Sequence, residues 1–367
     1  MKILHLLYES DGDYFGTGGV CTRAYEIYNY LKNNHDITLL CRKYPGALDS
    51  FKNGLRHFFV GNKSKSFLKS LLSYAYCSTS FVRENGKDFD IIIKEFSPAV
   101  PSLPKLVTKT PIVLQIQGYT GRKYFRKYNP LYAISLVSFE QIIPSSYNYY
   151  ISINKTIINK FRFLRKKYIE IIPNGISKNI LSIPIEDGEY ILFIGRIDIY
   201  GKGLDLLLKA FEKFNSVFPD IKLIIAGNGR DFSDFKKLLM NLPSKVRNKI
   251  ELLGWVTGEV KHEIFKKALF VIAPSRYEVQ SISVLEAMAY GKPVITSDIQ
   301  EFYFIKESGA GIQFKTGDYK SLFNSMKQMA ESIKRFDMGK KGQKWVSQYT
   351  WDKIAIQYEN YLKKVCY

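Results

Sequence analysis

Cysteine and histidine are scarce in this chain of 367 residues, with four of each. The cysteines, Cys21, Cys41, Cys77 and Cys366, form no Cys-x-x-Cys pair, which argues against a zinc site or a disulfide framework and suits a reducing compartment. No apolar run approaches 18 residues, so the sequence predicts no membrane-spanning helix. We therefore expect a cytoplasmic protein. Because histidine, cysteine and strand-end aspartate do not cluster, we also expect no bound metal and no cofactor.

Acidic residues are too few to balance the basic ones, and the net charge is +20. Residues 1–180 hold 26 Lys+Arg against 12 Asp+Glu, whereas residues 181–367 hold 28 against 22. The excess therefore belongs to the first half. Nucleic acid, an anionic membrane surface and an acidic acceptor are all compatible with it, and so is a solvated lysine-rich surface without a partner.

Apolar strand patterns alternate with helical patterns in both halves of the chain, which predicts an α/β protein with doubly wound parallel sheets. The expected domains are 1–176, joined by a C-terminal helix at about 351–367, and 189–350, with a linker at 177–188. Predicted strands are 2–8, 37–41, 58–60, 89–93, 112–117, 149–153, 190–194, 221–226, 250–253, 269–273 and 293–296. Predicted helices are 20–33, 65–84, 98–108, 131–142, 154–167, 203–217, 231–241, 259–267, 281–290 and a final set from about 318.

One stretch of the second half, residues 273–298, combines a strand end, a loop with Glu278 and a short helix with Glu286. Ligands of open α/β sheets bind at the carboxyl ends of strands, and a helix N-terminus offers N–H groups to phosphate. The alternative is a plain βαβ unit in which Ser283 and Glu286 form a capping box.

A second phosphate-binding pattern lies in residues 195–203, between a strand and a helix. Arg196 and Lys202 place two cations beside a helix N-terminus in a loop with three glycines, which suits a nucleoside diphosphate. Charged loops of this kind are also common in α/β proteins that bind no such ligand.

These motifs resemble those of retaining glycosyltransferases of the GT-B fold, family 4 (group 1) in particular. Glu278 and Glu286 match the family's Glu-x7-Glu motif, and Arg196 and Lys202 match its Gly-Arg and Lys-Gly pairs. The resemblance covers the second half strongly and the first half loosely. It implies two Rossmann-like domains facing a central cleft, the first on the acceptor side and the second binding the nucleotide sugar, with a C-terminal helix that returns to the first domain.

The resemblance also implies roles for individual residues. Arg196 and Lys202 would hold the donor diphosphate and Glu278 would contact the donor sugar, which makes these three the catalytic set; Glu286 would accept from the ribose hydroxyls. The residues expected to bind the donor are Gly18, Gly19, Gly195, Arg196, Lys202, Gly227, Gly229, Val256, Glu278, Ser281, Ile282 and Glu286.

Some positions depart from the family pattern. Where the family often has a histidine near the transferred sugar, this chain has Gln117, which hydrogen-bonds a hydroxyl but cannot act as a base. Asn154 is a second candidate for contact with sugar or acceptor. The family's Gly-Phe-Gly is replaced by residues 279–281, Val-Gln-Ser. Asp11 and Asp13 form an Asp-x-Asp pair, which we interpret as a solvated turn because it precedes the glycine loop.

The resemblance implies metal-independent transfer of a hexosyl-type sugar from a UDP- or GDP-linked donor, with retention of configuration. The expected acceptor is lipid-linked or a glycan in cell-envelope synthesis. A soluble small-molecule acceptor, or a nucleotide-sugar isomerase or hydrolase on the same fold, is the alternative. A basic nucleic-acid-binding protein would explain the charge but not Glu278 and Glu286 beside Arg196 and Lys202, so we expect no nucleic acid.

Three stretches of the first half interleave cations with aromatic and aliphatic residues: 63–76, 122–128 and 160–168. Such a pattern favours interfacial contact with an anionic membrane, in which each Lys or Arg contributes about 1 kcal/mol. The sequence thus predicts a peripheral membrane protein. The alternative is that these helices cover their own sheet and leave only solvated cations outside.

Overall fold

The computed structural model describes residues 1–14, 18–126, 128–162, 164 and 168–367. The chain divides into two compact units. The first unit comprises Met1–Asn174 together with Trp351–Tyr367, and the second comprises Gly175–Thr350. Residues 177–188 therefore belong to the second unit.

Among the described residues, the first unit contains an eight-stranded sheet in the order β3-β4-β2-β1-β5-β6-β7-β8. All neighbours are parallel except β3 and β4, which form an antiparallel pair at one edge. The central strands are almost continuously apolar because helices cover both faces. The strands are β1 (Lys2–Leu7), β2 (Asp36–Arg42), β3 (Ser50–Lys52), β4 (Leu55–Val60), β5 (Ile91–Glu95), β6 (Ile112–Ile116), β7 (Tyr149–Ser152) and β8 (Tyr168–Ile171).

The helices of the first unit lie between these strands, and two predicted ones are wrong. The helix predicted at 98–108 is only a 3-10 turn at Pro104–Leu106, because Pro98, Pro101 and Pro104 remove backbone donors and restrict the preceding residues. The helix predicted at 154–167 ends at Ile158, and its residues 163 and 165–167 lie outside the described chain. The α-helices are α1 (Gly19–Leu31), α2 (Phe67–Asn85), α3 (Pro130–Ser145) and α4 (Lys155–Ile158).

The second unit has a six-stranded, all-parallel sheet in the order β11-β10-β9-β12-β13-β14. Its last strand was not predicted from the sequence. The strands are β9 (Tyr190–Ile194), β10 (Lys222–Ala226), β11 (Ile250–Gly254), β12 (Ala268–Ala273), β13 (Val294–Ser297) and β14 (Gly311–Phe314). The helices are α5 (Leu204–Val217), α6 (Phe232–Met240), α7 (Ser244–Arg247), α8 (Gly258–Lys266), α9 (Ile282–Ala289), α10 (Tyr303–Ser308), α11 (Tyr319–Glu331) and α12 (Arg335–Val346).

The C-terminal helix α13 (Trp351–Cys366) returns to the first unit, as the resemblance implied. It packs against α1, where the Tyr28 and Tyr358 rings meet edge to face with centroids 6.3 Å apart. His35 Nε2 and Glu359 Oε1 lie 2.8 Å apart, and the Tyr361 hydroxyl donates to the Tyr168 carbonyl at 2.7 Å. The buried tyrosines find hydrogen-bond partners, so the helix is attached by polar as well as apolar contacts.

Lys94, in β5, is only 1% exposed, and burial lowers its pKa to about 8. Between pH 8 and 10.5 the unfolded chain binds a proton that the folded chain does not, so the free energy of unfolding contributed by this lysine rises with pH, by at most about 1.4 kcal/mol per pH unit. Methionine has no charge to bury, so Lys94→Met should be more stable than the wild type at pH 7. This difference in the free energy of unfolding should shrink as the pH rises to 10.5. Denaturant unfolding at pH 7 to 10.5 measures it, with the exposed Lys209→Met as control; parallel pH profiles would contradict the prediction.

Candidate active site

The charged residues predicted for phosphate and sugar meet at the carboxyl edge of the second sheet. Lys202 follows β9 and Glu278 follows β12, and because these strands are neighbours the Lys202 Nζ donates to Glu278 Oε1 in an ion pair. The side chains are 25% and 10% exposed. Ser275 Oγ donates to the same carboxylate oxygen at 3.3 Å. The structure thus brings two of the three predicted catalytic residues into direct contact.

The loop that carries Arg196 and Lys202 is fixed by backbone hydrogen bonds to the loop after β10. The Gly195 N–H donates to the Ala226 carbonyl at 3.0 Å, and the Ile197 N–H donates to the Asn228 carbonyl at 2.9 Å. The Ile199 N–H donates to Asp231 Oδ2 at 3.0 Å. These contacts hold the cationic loop in one conformation, which is what electrostatic binding of a diphosphate needs.

Gly227 shows why the loop after β10 requires glycine. Its φ is +146°, and an added Cβ would lie 1.8 Å from the Gly195 carbonyl oxygen. At Gly229 an added Cβ would lie 2.4 Å from the Ile197 carbonyl oxygen. The two predicted glycines therefore let the loops after β9 and β10 pack backbone against backbone.

Arg276 is a further element of the site that sequence reasoning missed. Its guanidinium forms a bidentate pair with the Asp205 carboxylate at 2.7 and 2.8 Å and lies 4.3 Å from the centre of the Tyr200 ring. The backbone N–H of Arg276 donates to the Gly201 carbonyl at 2.9 Å. Arg276 thereby ties the loop of Glu278 to the loop of Lys202. The available sequence signal was an arginine two residues before Glu278 and an aspartate in the first turn of α5.

Arg196 differs from Lys202 in its surroundings. It is exposed, and within the described part of the chain its side chain forms no ion pair or hydrogen bond. The side chain follows β9 and precedes α5, whose N-terminus carries partial positive charge. Its charge is therefore available to an anionic ligand.

The helix that carries Glu286 begins two residues earlier than a capping box at Ser283 requires. Ile282 is the first residue of α9 and buried Ser281 is its N-cap, with the Ser281 and Ser283 hydroxyl oxygens 3.0 Å apart. The capping-box alternative is therefore wrong. The Glu286 carboxylate accepts instead from Lys261 Nζ of α8 at 2.6 Å, a partner that the sequence did not suggest.

The loop after β11 contributes to the same edge of the second sheet. Gly254 accepts at its carbonyl a hydrogen bond of 2.6 Å from the Gly227 N–H. Val256, two residues later, is partly buried against the hydrophobic core that underlies α9, whereas Trp255 is exposed. The side chain of Val256 is thus structural, which leaves the backbone of this loop for a ligand.

The remaining predicted residues belong to the first unit. Gly18 is the N-cap of α1, with its N–H donating to Glu9 Oε2 at 3.0 Å, and Gly19 is the first helical residue. Asn154 caps α4, because its side-chain oxygen accepts from the Ile157 N–H at 2.9 Å. Gln117 follows β6 at the carboxyl edge of the first sheet.

Of the two residues of the Asp-x-Asp pair, Asp11 is exposed and Asp13 is not. Asp13 is buried and pairs with Arg42 at 2.9 Å, so the interpretation of Asp11 and Asp13 as a solvated turn is wrong for Asp13.

Within the described ranges, one group of side chains has the composition of a metal site. Its potential ligand atoms lie within 4.8 Å of one another and belong to Glu259, His262 and Glu263 of α8.

Two family descriptions match nearly the whole chain between them. Residues 178–345 match the family described as Glycosyl transferases group 1, and residues 17–179 match Glycosyltransferase Family 4. An uncharacterized glycosyltransferase of Methanocaldococcus jannaschii is 32% identical over 50% of this chain and 47% of its own length. A phosphatidyl-myo-inositol mannosyltransferase of Mycobacterium leprae is 30% identical over 51% of each. The chain thus spans about half the length of these curated relatives.

Solved structures share the fold over their full length. The Anabaena protein HepE, solved in complex with UDP and glucose, superimposes with a TM-score of 0.76 at 18% identity, covering 99% of this chain and 100% of that one. The two Rossmann-like units and these matches define a glycosyltransferase of the GT-B fold. More narrowly, the chain belongs to the group 1, family 4 glycosyltransferases.

Proposed function

We propose that this protein transfers a hexosyl-type sugar from a nucleotide-diphosphate sugar to an acceptor, with retention of anomeric configuration. The observation that carries the proposal is the Lys202–Glu278 ion pair, with Arg196 on the same fixed loop. Two cations at a helix N-terminus suit a diphosphate, and a carboxylate beside them suits sugar hydroxyls. No step of this arrangement requires a metal ion or a cofactor.

The chemistry proposed for these residues is electrostatic. Arg196 and Lys202 bind the diphosphate and stabilise the negative charge that develops on it as the glycosidic bond to the donor breaks. Glu278, already paired with Lys202, accepts hydrogen bonds from the donor sugar. Glu286 accepts from the ribose hydroxyls with the oxygen that Lys261 leaves available.

A uridine nucleotide is the first donor to test, because the structural relative HepE binds UDP and glucose. The melting temperature of the wild type is measured with a panel of UDP-sugars, GDP-sugars and free nucleotides. The true donor should raise it, because a ligand that binds the folded protein stabilises it by mass action. The shift should persist in excess EDTA and fall for Glu286→Ala, while Glu212→Ala, a change at an exposed position within α5, should keep it. No shift with any nucleotide, or a shift abolished by EDTA, would contradict this proposal.

The acceptor that we propose is lipid-linked or a glycan, and the first unit would bind an anionic membrane. In the described part of the chain, no helix has the length and hydropathy to cross a membrane. Helix α2 connects β4 to β5 and α3 connects β6 to β7, and both connections run in the same direction across the strand order of the first sheet. Because such crossovers are right-handed, α2 and α3 lie on the same face of that sheet. The exposed apolar residues of these helices include Leu68, Leu72, Tyr76, Leu131, Ile134 and Ile142.

Cations accompany these apolar residues, as an interfacial contact requires. Lys63, Lys65 and Lys69 are exposed before and within α2, and Arg122 and Lys123 are exposed before α3. Of the basic stretches named from the sequence, residues 127, 163 and 165–167 lie outside the described chain. The mannosyltransferase relative acts on phosphatidyl-myo-inositol by its name, which supports a lipid acceptor.

Co-sedimentation with liposomes tests the membrane proposal. The wild type should pellet with anionic but not neutral vesicles, and reversing Lys63, Lys65 and Lys69 to glutamate should weaken binding by about two orders of magnitude or more at low salt. Changing Leu131, Ile134 and Ile142 to serine should weaken it at any salt.

A matched charge reversal in the second unit serves as control: the lysines Lys209, Lys222 and Lys245, all exposed, are changed to glutamate. This variant should pellet more like the wild type than the first-unit variant does. Equal recovery of the wild type with anionic and neutral vesicles would favour a soluble acceptor instead.

A further inference from the structure

Helix α8 of the second unit presents three potential metal ligands on one face. Glu259, His262 and Glu263 stand at positions i, i+3 and i+4, and residues at these spacings are neighbours on a helix surface. One potential ligand atom from each lies within 4.8 Å of the other two. The three side chains are exposed or partly buried, so an ion can reach them from solvent. The signal available in the sequence was the spacing Glu-x-x-His-Glu within a predicted helix.

His262 differs from the other histidines of the chain in its exposure. All four histidines belong to the part of the chain that the structure describes, and three of them, His5, His35 and His57, are buried. The ring of His262 is partly exposed. Imidazole nitrogen is a preferred ligand of zinc and of other first-row transition metals. Binding of such an ion from solvent through a histidine is therefore expected at His262.

The ring of His262 is oriented by a residue outside this group of three. Its Nδ1 lies 3.0 Å from the hydroxyl oxygen of Tyr290, which follows α9 and is 7% exposed. The Tyr290 ring is in turn stacked on the Phe265 ring, with centroids 5.0 Å apart. With Nδ1 engaged, Nε2 is the nitrogen that remains for a metal ion. Metal-binding histidines have this arrangement, in which the second ring nitrogen donates its hydrogen to a nearby oxygen.

The two glutamates carry negative charge that the helix does not balance. Like charges four residues apart on a helix repel each other and destabilise it. Among the residues that the structure describes, Glu259 has no ion pair and its side chain has no hydrogen bond. Glu263 Oε2 lies 3.5 Å from Lys267 Nζ, and both side chains are accessible to solvent. A divalent cation between the two carboxylates would remove this repulsion.

We propose that Glu259, His262 and Glu263 form a binding site for a divalent transition-metal ion of the zinc type. Tetrahedral coordination with ligands about 2.0 Å from the ion places ligand atoms about 3.3 Å apart. Rotation of the three solvent-accessible side chains is enough to reach this spacing from the observed 4.8 Å. The nitrogen ligand favours zinc over Mg²⁺ and Ca²⁺, which bind oxygen. The ion takes no part in the proposed sugar transfer.

Calorimetric titration of the full chain with Zn²⁺, after treatment with a chelator and its removal, tests the proposal. The wild type should bind one Zn²⁺ per chain at micromolar concentrations, and excess Mg²⁺ should not displace it. His262→Ala and Glu259→Gln should each lower the affinity by about 10-fold or more, because each removes a ligand. Tyr290→Phe keeps the stacked ring and removes only the hydroxyl that orients His262, so it should lower the affinity by about 10-fold.

Two variants serve as controls. Glu331 is exposed and lies 3.9 Å from Lys327, four residues away on α11, much as Glu263 lies near Lys267, so Glu331→Gln should keep the wild-type affinity. Glu286→Ala removes the partner of Lys261 on the same helix and should also keep it, which separates the metal site from the predicted nucleotide site. Melting temperatures near that of the wild type show that all variants are folded.

A wild type that binds no Zn²⁺ at micromolar concentrations overturns the inference, and so does an affinity that survives His262→Ala. Displacement of Zn²⁺ by Mg²⁺ at equal concentration would show that the nitrogen ligand is not used, with the same consequence. Unchanged affinity in Tyr290→Phe would show an adventitious ion only, held by surface charge. None of these outcomes affects the proposed sugar transfer, whose donor binding is measured in excess EDTA.

Discussion

Arg196→Ala and Lys202→Ala should each lower kcat/KM with the true donor by roughly a hundredfold or more. Each variant removes a fixed cation from the place where negative charge develops on the leaving diphosphate. Lys202→Ala should have the larger effect, because it also leaves the Glu278 carboxylate, 10% exposed, without its cation. Steady-state release of the nucleoside diphosphate measures both.

The control for this experiment is Lys209→Ala, which removes one exposed lysine from α5 without touching either loop. It should keep kcat/KM within about twofold of the wild type. Glu278→Gln adds a second comparison, since it keeps the size of the side chain and removes its charge. If Arg196→Ala and Lys202→Ala both kept kcat/KM near the wild-type value, the assignment of the phosphate site to this loop would be wrong.

Gly203→Ala should destabilise the second unit by about 3 kcal/mol and misplace the neighbouring Lys202. Gly203 has φ +67°, and an added Cβ would lie 2.0 Å from the Pro274 carbonyl oxygen. The left-handed conformation alone costs an alanine about 1 to 2 kcal/mol, and a clash with backbone cannot be relieved by rotating a side chain. Because Pro274 precedes the loop of Glu278, we expect kcat/KM to fall at least tenfold.

Gly317→Ala is the matched control for Gly203→Ala. Its φ is +85°, but nothing lies within 4 Å of the added Cβ, so it carries the conformational cost without the clash. Thermal unfolding should place Gly203→Ala several degrees below Gly317→Ala, and only the former should lose activity. Equal melting temperatures would show that the loops after β9 and β12 separate easily.

The alternation of apolar strands and amphipathic helices was enough to predict the fold class and most elements. This succeeds because a parallel strand covered on both faces needs a continuous apolar run, whatever its neighbours are. The prediction fails where the spacing of apolar residues suggests one element but the residue types within it do not allow that element. The helix predicted at 98–108 has suitable apolar spacing, but three prolines forbid it. The short edge strand β3, which is exposed throughout, carries no apolar pattern to detect.

The sequence by itself also identified which loops carry the charges, because Arg196, Lys202, Glu278 and Glu286 stand at strand ends and helix starts. Only the tertiary structure decided what those charges touch. The Lys202–Glu278 and Lys261–Glu286 pairs join residues 76 and 25 positions apart, and Gln117 meets Glu95 from the neighbouring strand. Such contacts depend on the order of strands in the sheet, which places β9 beside β12 and β5 beside β6. Hydrophobic periodicity carries no information about that order, since every buried parallel strand presents the same apolar pattern to its neighbours.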